Sequence, residues 1–308
     1  MPTKSFSSFE AFFDANQHAC LRAMVLGPDR GKWVLTNLPL SGITVQFGEA
    51  GGNAVVEGSS QPDGTSIFIL LQGLSAMSGN GRRFDGRTLL IARQGDEFCL
   101  AADAWRRWCS FYIPDEVLAR ANEDAPTTAG SKRGVFRLPL QRIERFRSVI
   151  QRLDAVAHQA PDAFQSVAAQ KAAQQKLVPE ICNMLAVAPK AQHSVGRHVM
   201  PREQIIRLAM DCVDRHSGEH VSVGQLVTAA GVSERTLRDA FQQYFGASPV
   251  RYLSRRTLHK VRRALKATDP SVATVTEIAI RFGVWELGRF ARDYRSLFGE
   301  LPSVTLRH

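Results

Sequence analysis

Seven basic residues, Arg251, Arg255, Arg256, Lys260, Arg262, Arg263 and Lys266, fall within 16 positions, and no Asp or Glu occurs from Ala240 to Thr268. A solvated protein surface generally interleaves both signs of charge, so a block of one sign favours a polyanionic partner. The whole chain is biased the same way. Residues 197–308 hold 18 Lys and Arg against 11 Asp and Glu, whereas residues 1–196 hold 21 against 18. Two further arginine-bearing stretches flank the block, SERTLRDAFQQYF (233–245) and ELGRFARDYRSLF (286–298). An arginine there can pair bidentately with a guanine edge or contact a phosphate. In the other half, Trp105-Arg106-Arg107-Trp108 sets two guanidinium groups beside two indoles. That chemistry suits an anion or a stacked base. The plainer alternative is tryptophan packed on a neighbouring helix with arginine facing water.

Other chemistries find little support. No histidine lies between His18 and His158, which argues against a metal site built from clustered histidines. Five widely spaced cysteines without a C-x-x-C pattern read as reduced thiols in a cytoplasmic protein. Gly95-Asp96-Glu97-Phe98 resembles a cyclase signature but lies between two strand-like runs, as a turn would. Gly48-Glu49-Ala50-Gly51-Gly52 precedes a strand rather than a helix and so fails as a phosphate loop. His216 and His220 read as the close of a helix, and no serine or cysteine sits in a nucleophile motif. No apolar run approaches the ~18 residues of a membrane span, and the acid-containing N-terminus does not read as a signal peptide. The expectation is a protein that is not an enzyme, with no metal and no cofactor.

These residues need elements to position them. The runs KWVLTNL, GITVQFGE, NAVVEG, TSIFILLQG, RTLLIA, EFCLA and WRRWCSFYI are rich in β-branched and aromatic residues. Their punctuation by Gly, Asp and Asn predicts a sandwich or barrel. In a strand, Trp105, Arg107, Cys109 and Phe111 share one face, and Arg106, Trp108 and Tyr112 the other. Arg82, Arg83, Arg87 and Arg93 on neighbouring strands are candidates to converge with them. Beyond Pro114 the period changes. Ile143, Phe146, Ile150, Leu153 and Ala157 form the seam of an amphipathic helix, and a second long helical stretch follows Pro161. Residues 189–200 read as a linker, dividing the chain into 1–188 and 201–308.

The last hundred residues repeat themselves. Leu237, Phe241 and Phe245 recur 53 positions later as Phe290, Tyr294 and Phe298, one apolar stripe on each helix. A glycine, Gly231 or Gly283, precedes each. Before it lies a short helix opened by a capping box, Ser222 with Gln225 or Thr274 with Glu277. Helix, glycine turn, helix is the sequence form of a helix-turn-helix. Between the copies, Pro249 opens a helical rod to about Lys266, roughly 25 Å long at 1.5 Å per residue. It can hold two reading heads about one DNA turn, ~34 Å, apart. Both heads then belong to one monomer and run in one direction, which predicts an asymmetric or direct-repeat site.

Gly231, Ser233, Leu237, Phe241, Phe245, Gly246, Ser248 and Pro249 in the first unit resemble the signature of the AraC/XylS transcription regulators. Gly283, Gly288, Arg289, Phe290, Tyr294, Phe298, Gly299 and Pro302 resemble its XylS branch in the second. The resemblance implies an α+β chain. Its N-terminal part is a cupin-like β-barrel with long dimerisation helices; its C-terminal domain is all-α, two helix-turn-helix units joined by a linker helix. The implied function is a ligand-responsive, sequence-specific DNA-binding transcriptional regulator, with activation and repression both open. Its implied partners are promoter DNA, RNA polymerase, a second copy of the chain and a small-molecule effector such as an aromatic carboxylate. A cyclic dinucleotide is the alternative effector. A ligand-independent architectural DNA binder and a cupin-like enzyme with a DNA-binding appendage are the rival classes. Candidate DNA-contacting residues are Arg235, Thr236, Arg238, Asp239 and Gln242 on the first helix, and Leu287, Gly288, Arg289 and Arg292 on the second. Arg255, Arg256 and Arg262 are expected to contact phosphates from the rod. Candidate effector residues are Arg82, Arg83, Arg87, Arg93, Trp105, Arg106, Arg107 and Trp108. Gly288 costs about 1 kcal/mol against Ala inside a helix, which close approach of DNA or of another helix would explain. Ser233 caps the first reading helix; matched from glycine to glycine, Trp285 takes that place in the second, and Glu286 stands where the branch commonly has His.

Overall fold

The computed structural model describes residues 3–16, 19–28, 31–73, 77–123, 133–187, 200–216 and 221–307. The N-terminal elements are β1 (Lys4–Phe6), α1 (Phe9–Asp14), β2 (Ala19–Val25), β3 (Trp33–Leu40), β4 (Ile43–Ala50), β5 (Ala54–Ser60), β6 (Gly64–Gly73), β7 (Met77–Gly79), β8 (Arg82–Phe84), β9 (Thr88–Arg93), β10 (Glu97–Ala102), β11 (Arg106–Pro114), α2 (Asp115–Glu123), β12 (Gly134–Arg137), α3 (Leu140–Gln159) and α4 (Val167–Val187). The C-terminal helices are α5 (Arg202–Arg215), α6 (Val223–Ala230), α7 (Glu234–Phe245), α8 (Pro249–Ala267), α9 (Val275–Arg281), α10 (Leu287–Phe298) and α11 (Pro302–Arg307). Among the described residues no helix is long and apolar enough to cross a membrane.

The strands form two antiparallel sheets, ordered β1-β3-β4-β11-β6-β9-β12 and β2-β5-β10-β7-β8. Neither closes, so the expected barrel is an open sandwich. Closure would need an edge of one sheet to pair with an edge of the other. The edge strands β1 and β8 have only three residues each. Among the described residues a single bridge, Ser60 to Gln94, lies outside the strand ladders.

Strand alternation builds three layers. Cys109, Phe111 and Ile113 of β11 are buried on the outer face of the larger sheet, against Ile143, Phe146 and Ile150 of α3 and Leu177 and Ile181 of α4. The Phe111 and Phe146 rings lie 5.6 Å apart. The helical seam that pointed to dimerisation is thus covered by the chain's own sheet; Leu153 of that seam is half-buried. The opposite face of β11 carries Arg106, Trp108 and Ser110 toward the second sheet.

The expected linker, residues 189–200, lies outside the described residues except for Met200. The C-terminal helices share their core with the strands. Met24, Leu26, Val55, Cys99 and Ala101 join Ile205, Phe241, Phe245 and Tyr252 in one buried cluster. Phe9, Phe12, Val25 and Trp33 join Leu258, Phe290 and Tyr294 in another. The edge strand β2 is covered by α8, which protects its unpaired carbonyls from association with another chain.

Candidate nucleic-acid interface and effector cavity

Each helix-turn-helix unit is built from its own caps. The Ser222 hydroxyl accepts from the Gln225 amide at 3.3 Å, and the Ser222 amide donates back to Gln225 Oε1 at 2.8 Å. Thr274 and Glu277 repeat the pair at 3.2 and 2.8 Å. Both boxes therefore form as their spacing predicts. Gly231 closes α6 with φ of 64°, a left-handed conformation that favours glycine. Ser233 caps α7, its hydroxyl accepting from the Thr236 amide at 3.2 Å.

The second unit departs here. The residue at the α10 cap position is Glu286, not Trp285, and its side chain makes no cap bond. Six positions separate Gly231 from Leu237, but seven separate Gly283 from Phe290. Matching from the glycine therefore misplaces the cap by one residue. The core spacing, carried backward from Phe290, finds it.

The apolar combs are buried: Leu237, Phe241 and Phe245 within 1% exposure, Phe290 and Tyr294 within 5%. Phe298 is half-buried, with the Arg262 guanidinium 4.5 Å above its ring. Burial of the combs fixes what turns outward. Arg235, Arg238, Asp239 and Gln242 of α7 and Gly288, Arg289 and Arg292 of α10 are all exposed. Thr236 is half-buried, its hydroxyl 2.8 Å from that of Ser233, and Leu287 is half-buried against the second core. Arg238 pairs with Glu234 at 3.1 Å, while Arg289 stands 3.7 Å from both Glu286 and Asp293. No salt bridge engages Arg235 or Arg292 among the described residues.

The rod α8 is not a free bridge. Arg255 donates to the Leu26 carbonyl at 3.3 Å, and Arg251 to the same oxygen at 3.0 Å. Arg256 pairs with Asp214 of α5 at 2.6 Å. Arg262 pairs with Glu10 of α1 at 2.8 Å and with Glu300 at 2.6 Å, and Lys266 reaches Glu10 at 3.3 Å. His259 is buried between the rings of Phe9 and Phe298, with Nε2 3.0 Å from the Val25 carbonyl. Burial lowers its pKa to about 4, against the opposing pull of that hydrogen bond. Arg255, Arg256 and Arg262, expected at phosphates, are therefore held by acceptors within the chain. The first unit is docked as well: Ser78 Oγ donates to the Tyr244 carbonyl at 2.7 Å, and Gln243 to the Gly81 carbonyl at 2.8 Å.

The effector candidates separate. A cavity between the sheets is lined by Phe13, Leu21, Phe68, Met77, Phe98 and Trp108, and Arg106 reaches it. A Cβ at Gly48 would collide with the Trp108 ring, so that glycine makes room for the indole. Arg106 is 5% exposed and donates to the carbonyls of Gly52 and Ala104, both at 3.4 Å. Burial lowers its pKa to about 10, with the Asp103 charge acting the other way. Arg107 points to the helix layer and pairs with the buried Asp154 at 2.6 Å. Arg87 donates to the Leu138 carbonyl, Arg93 lies 3.6 Å from Asp115, and Arg82 and Arg83 are exposed on β8. Trp105 sits half-buried before β11. Of the eight candidates, the fold brings only Arg106 and Trp108 to the cavity. The Gly95 turn joins β9 to β10, with φ of 78° and the Asp96 carboxylate accepting from the Arg93 amide.

Residues 226–308 match the helix-turn-helix domain family. A probable thc operon regulatory protein of Rhodococcus erythropolis is 41% identical over 103 residues, covering 33% of this chain and 31% of that protein. XylDLEGF operon transcriptional activator 2 of Pseudomonas putida is 38% identical over 104 residues, 34% of this chain and 64% of its own length. The C-terminal region is an AraC-type DNA-binding domain. A solved probable AraC family transcriptional regulator from Rhodopseudomonas palustris matches 33% of the chain and 94% of its own at 34% identity, with a TM-score of 0.31. The AraC-like transcriptional activator CuxR covers 84% of this chain and 90% of its own, at 16% identity and a TM-score of 0.42. The chain thus spans about a third of the Rhodococcus relative and less than two thirds of the Pseudomonas activator. In the AraC-type domain, the two helices with outward arginines are the second helices of its helix-turn-helix units.

Proposed function

We propose that the chain is a ligand-responsive, sequence-specific transcriptional activator. The observation that carries this reading is the pair of capped units with buried combs and different outward faces, Arg235 and Arg238 on one, Arg289 and Arg292 on the other. Two such faces on one chain suit two successive major grooves of promoter DNA. The names of the relatives as operon activators support the direction of regulation. The reading places the protein in the cytoplasm, as a homodimer that contacts RNA polymerase. An architectural DNA binder would have no use for the apolar cavity with its buried arginine.

The effector is an apolar monoanion, such as an aromatic carboxylate. Arg106 is a buried cation bonded to carbonyls only at 3.4 Å, at the edge of an apolar space. A carboxylate there gives it a bidentate partner in a medium of low dielectric. A cyclic dinucleotide carries two phosphates, and the further arginines it would need lie away from the cavity, which favours the smaller ligand. The test is a thermal-shift titration with benzoate-type carboxylates of the full chain and of Arg106→Met, with circular dichroism as the folding control. The expected result is a ligand-dependent rise in Tm for the native chain alone. Equal rises in both would remove Arg106 from the effector site.

A further inference from the structure

The two units are not the same object used twice. Their first helices match at an offset of 52, Ser222 with Thr274 and Leu226 with Ile278; their second helices match at 53, Leu237 with Phe290 and Gly246 with Gly299. One extra residue therefore lies between the helices of the second unit, and α9 also ends one position earlier than α6, so the second turn runs from Phe282 to Glu286 where the first needs only Gly231 to Ser233. Within that longer turn stands Trp285, 75% exposed. Its carbonyl accepts from the Leu287 amide at 3.2 Å, a tight turn immediately before α10. Three positions on is Gly288. Its φ is not among the positive values, and a Cβ built on it meets nothing within 4 Å. Among the described residues neither backbone conformation nor packing requires a glycine there, so of the two reasons the sequence offered, close approach of DNA is the one pursued.

We propose that Trp285 and Gly288 form an apolar recess, indole wall and bare helical floor, that receives the 5-methyl group of a thymine in the major groove. The inference rests on the DNA-binding reading above and names a specificity determinant within it. Thymine alone presents a methyl group in that groove, and apolar side chains are what contact it. A tryptophan exposed to water keeps a large apolar area unburied unless a partner covers it. The partner's chemistry follows from the neighbouring sequence: Arg281, Glu286, Arg289 and Arg292, all within seven positions of Trp285, are exposed as well. A base edge flanked by phosphates meets both kinds of group, the indole on the thymine methyl and the guanidinium groups on the phosphates.

The full chain is used to select a binding site from a random-sequence duplex library, and each thymine of that site is then replaced in turn by deoxyuridine. The native chain is expected to lose about fourfold in affinity at one position, the worth of one buried methyl. Trp285→Ala should bind the thymine site that much more weakly and be indifferent to the same replacement. Gly288→Ala should keep or raise Tm, because alanine is the better helix former, yet bind the selected site several-fold more weakly. A structural glycine would give the reverse, a lower Tm with unchanged binding. Indifference of the native chain to every thymine replacement overturns the recess, as does equal sensitivity in Trp285→Ala. Failure of the native chain to select any site overturns the DNA-binding reading as well.

Discussion

Arginine is put to three different uses in this chain, and its surroundings decide which. Arg235 and Arg292 face water with no ion pair among the described residues, and Arg238 shares its charge with one exposed glutamate. Truncating Arg238 or Arg292 to alanine is expected to weaken specific binding by about 1–3 kcal/mol with the fold intact. A gel-shift titration at fixed salt checks this, and equal affinities would remove them from the interface. Arg262 is an internal tie among Glu10, Glu300, Tyr294 and the Phe298 ring. Arg106 is a buried cation bonded to the carbonyls of Gly52 and Ala104. His259 adds a dependence on pH. Its folded pKa of about 4 lies below the ordinary 6.5, so the unfolded chain takes up the proton first and stability falls as pH drops from 6.5 toward 4. Desolvation raises the pKa of the half-buried Glu57, which works in the opposite sense. The difference in Tm between the native chain and His259→Gln, followed across that window, is therefore the readout. The native chain should lose Tm more steeply; parallel curves would show that His259 does not titrate there.

At the scale of elements, the caps hold the two units in register. Ser233→Ala and Thr274→Ala should each cost about 1 kcal/mol in denaturant unfolding. Glu286→Ala should cost nothing comparable, because its side chain makes no cap bond. A loss at Glu286 as large as at Ser233 would mean that α10 is capped after all. The combs, boxes and outward faces were legible in the sequence because a helix of three turns repeats its pattern enough to fix its phase. Seven strands, β3 to β6 and β9 to β11, were legible for the same reason. Strands β1, β7, β8 and β12 were not, since three or four residues are too few to show a period, and β2, ACLRAMV, was missed because it holds only one β-branched residue and no aromatic. The parity of β11 correctly separated Arg106 and Trp108 from Arg107. Which face meets the cavity depends on where α3 and α4 pack, and strand pattern holds no record of that. The extra residue in the second turn was written in the spacing but hidden by matching the units at their glycines.

At the scale of the molecule, α8 lies against the N-terminal sheet, and α1 stands between that rod and the cavity. Phe13 of α1 lines the cavity, while Glu10, one turn earlier, holds Arg262 and Lys266. Glu10→Gln should weaken this dock, seen as faster amide exchange along α8; unchanged exchange would show that the ion pairs add nothing to it. This arrangement also eluded the sequence, because a run of basic residues does not say whether its partners lie inside or outside the chain. The acceptors for Arg251, Arg255 and His259 are the backbone oxygens of Leu26 and Val25. No side-chain substitution can delete a peptide carbonyl. A genetic hunt for released variants will therefore be lopsided. It should return changes along α8 in number, and from the N-terminal elements only the few positions where the grip is made by a side chain, such as Glu10, which holds Arg262 and Lys266, and Glu57, which accepts from the Tyr252 hydroxyl at 3.3 Å.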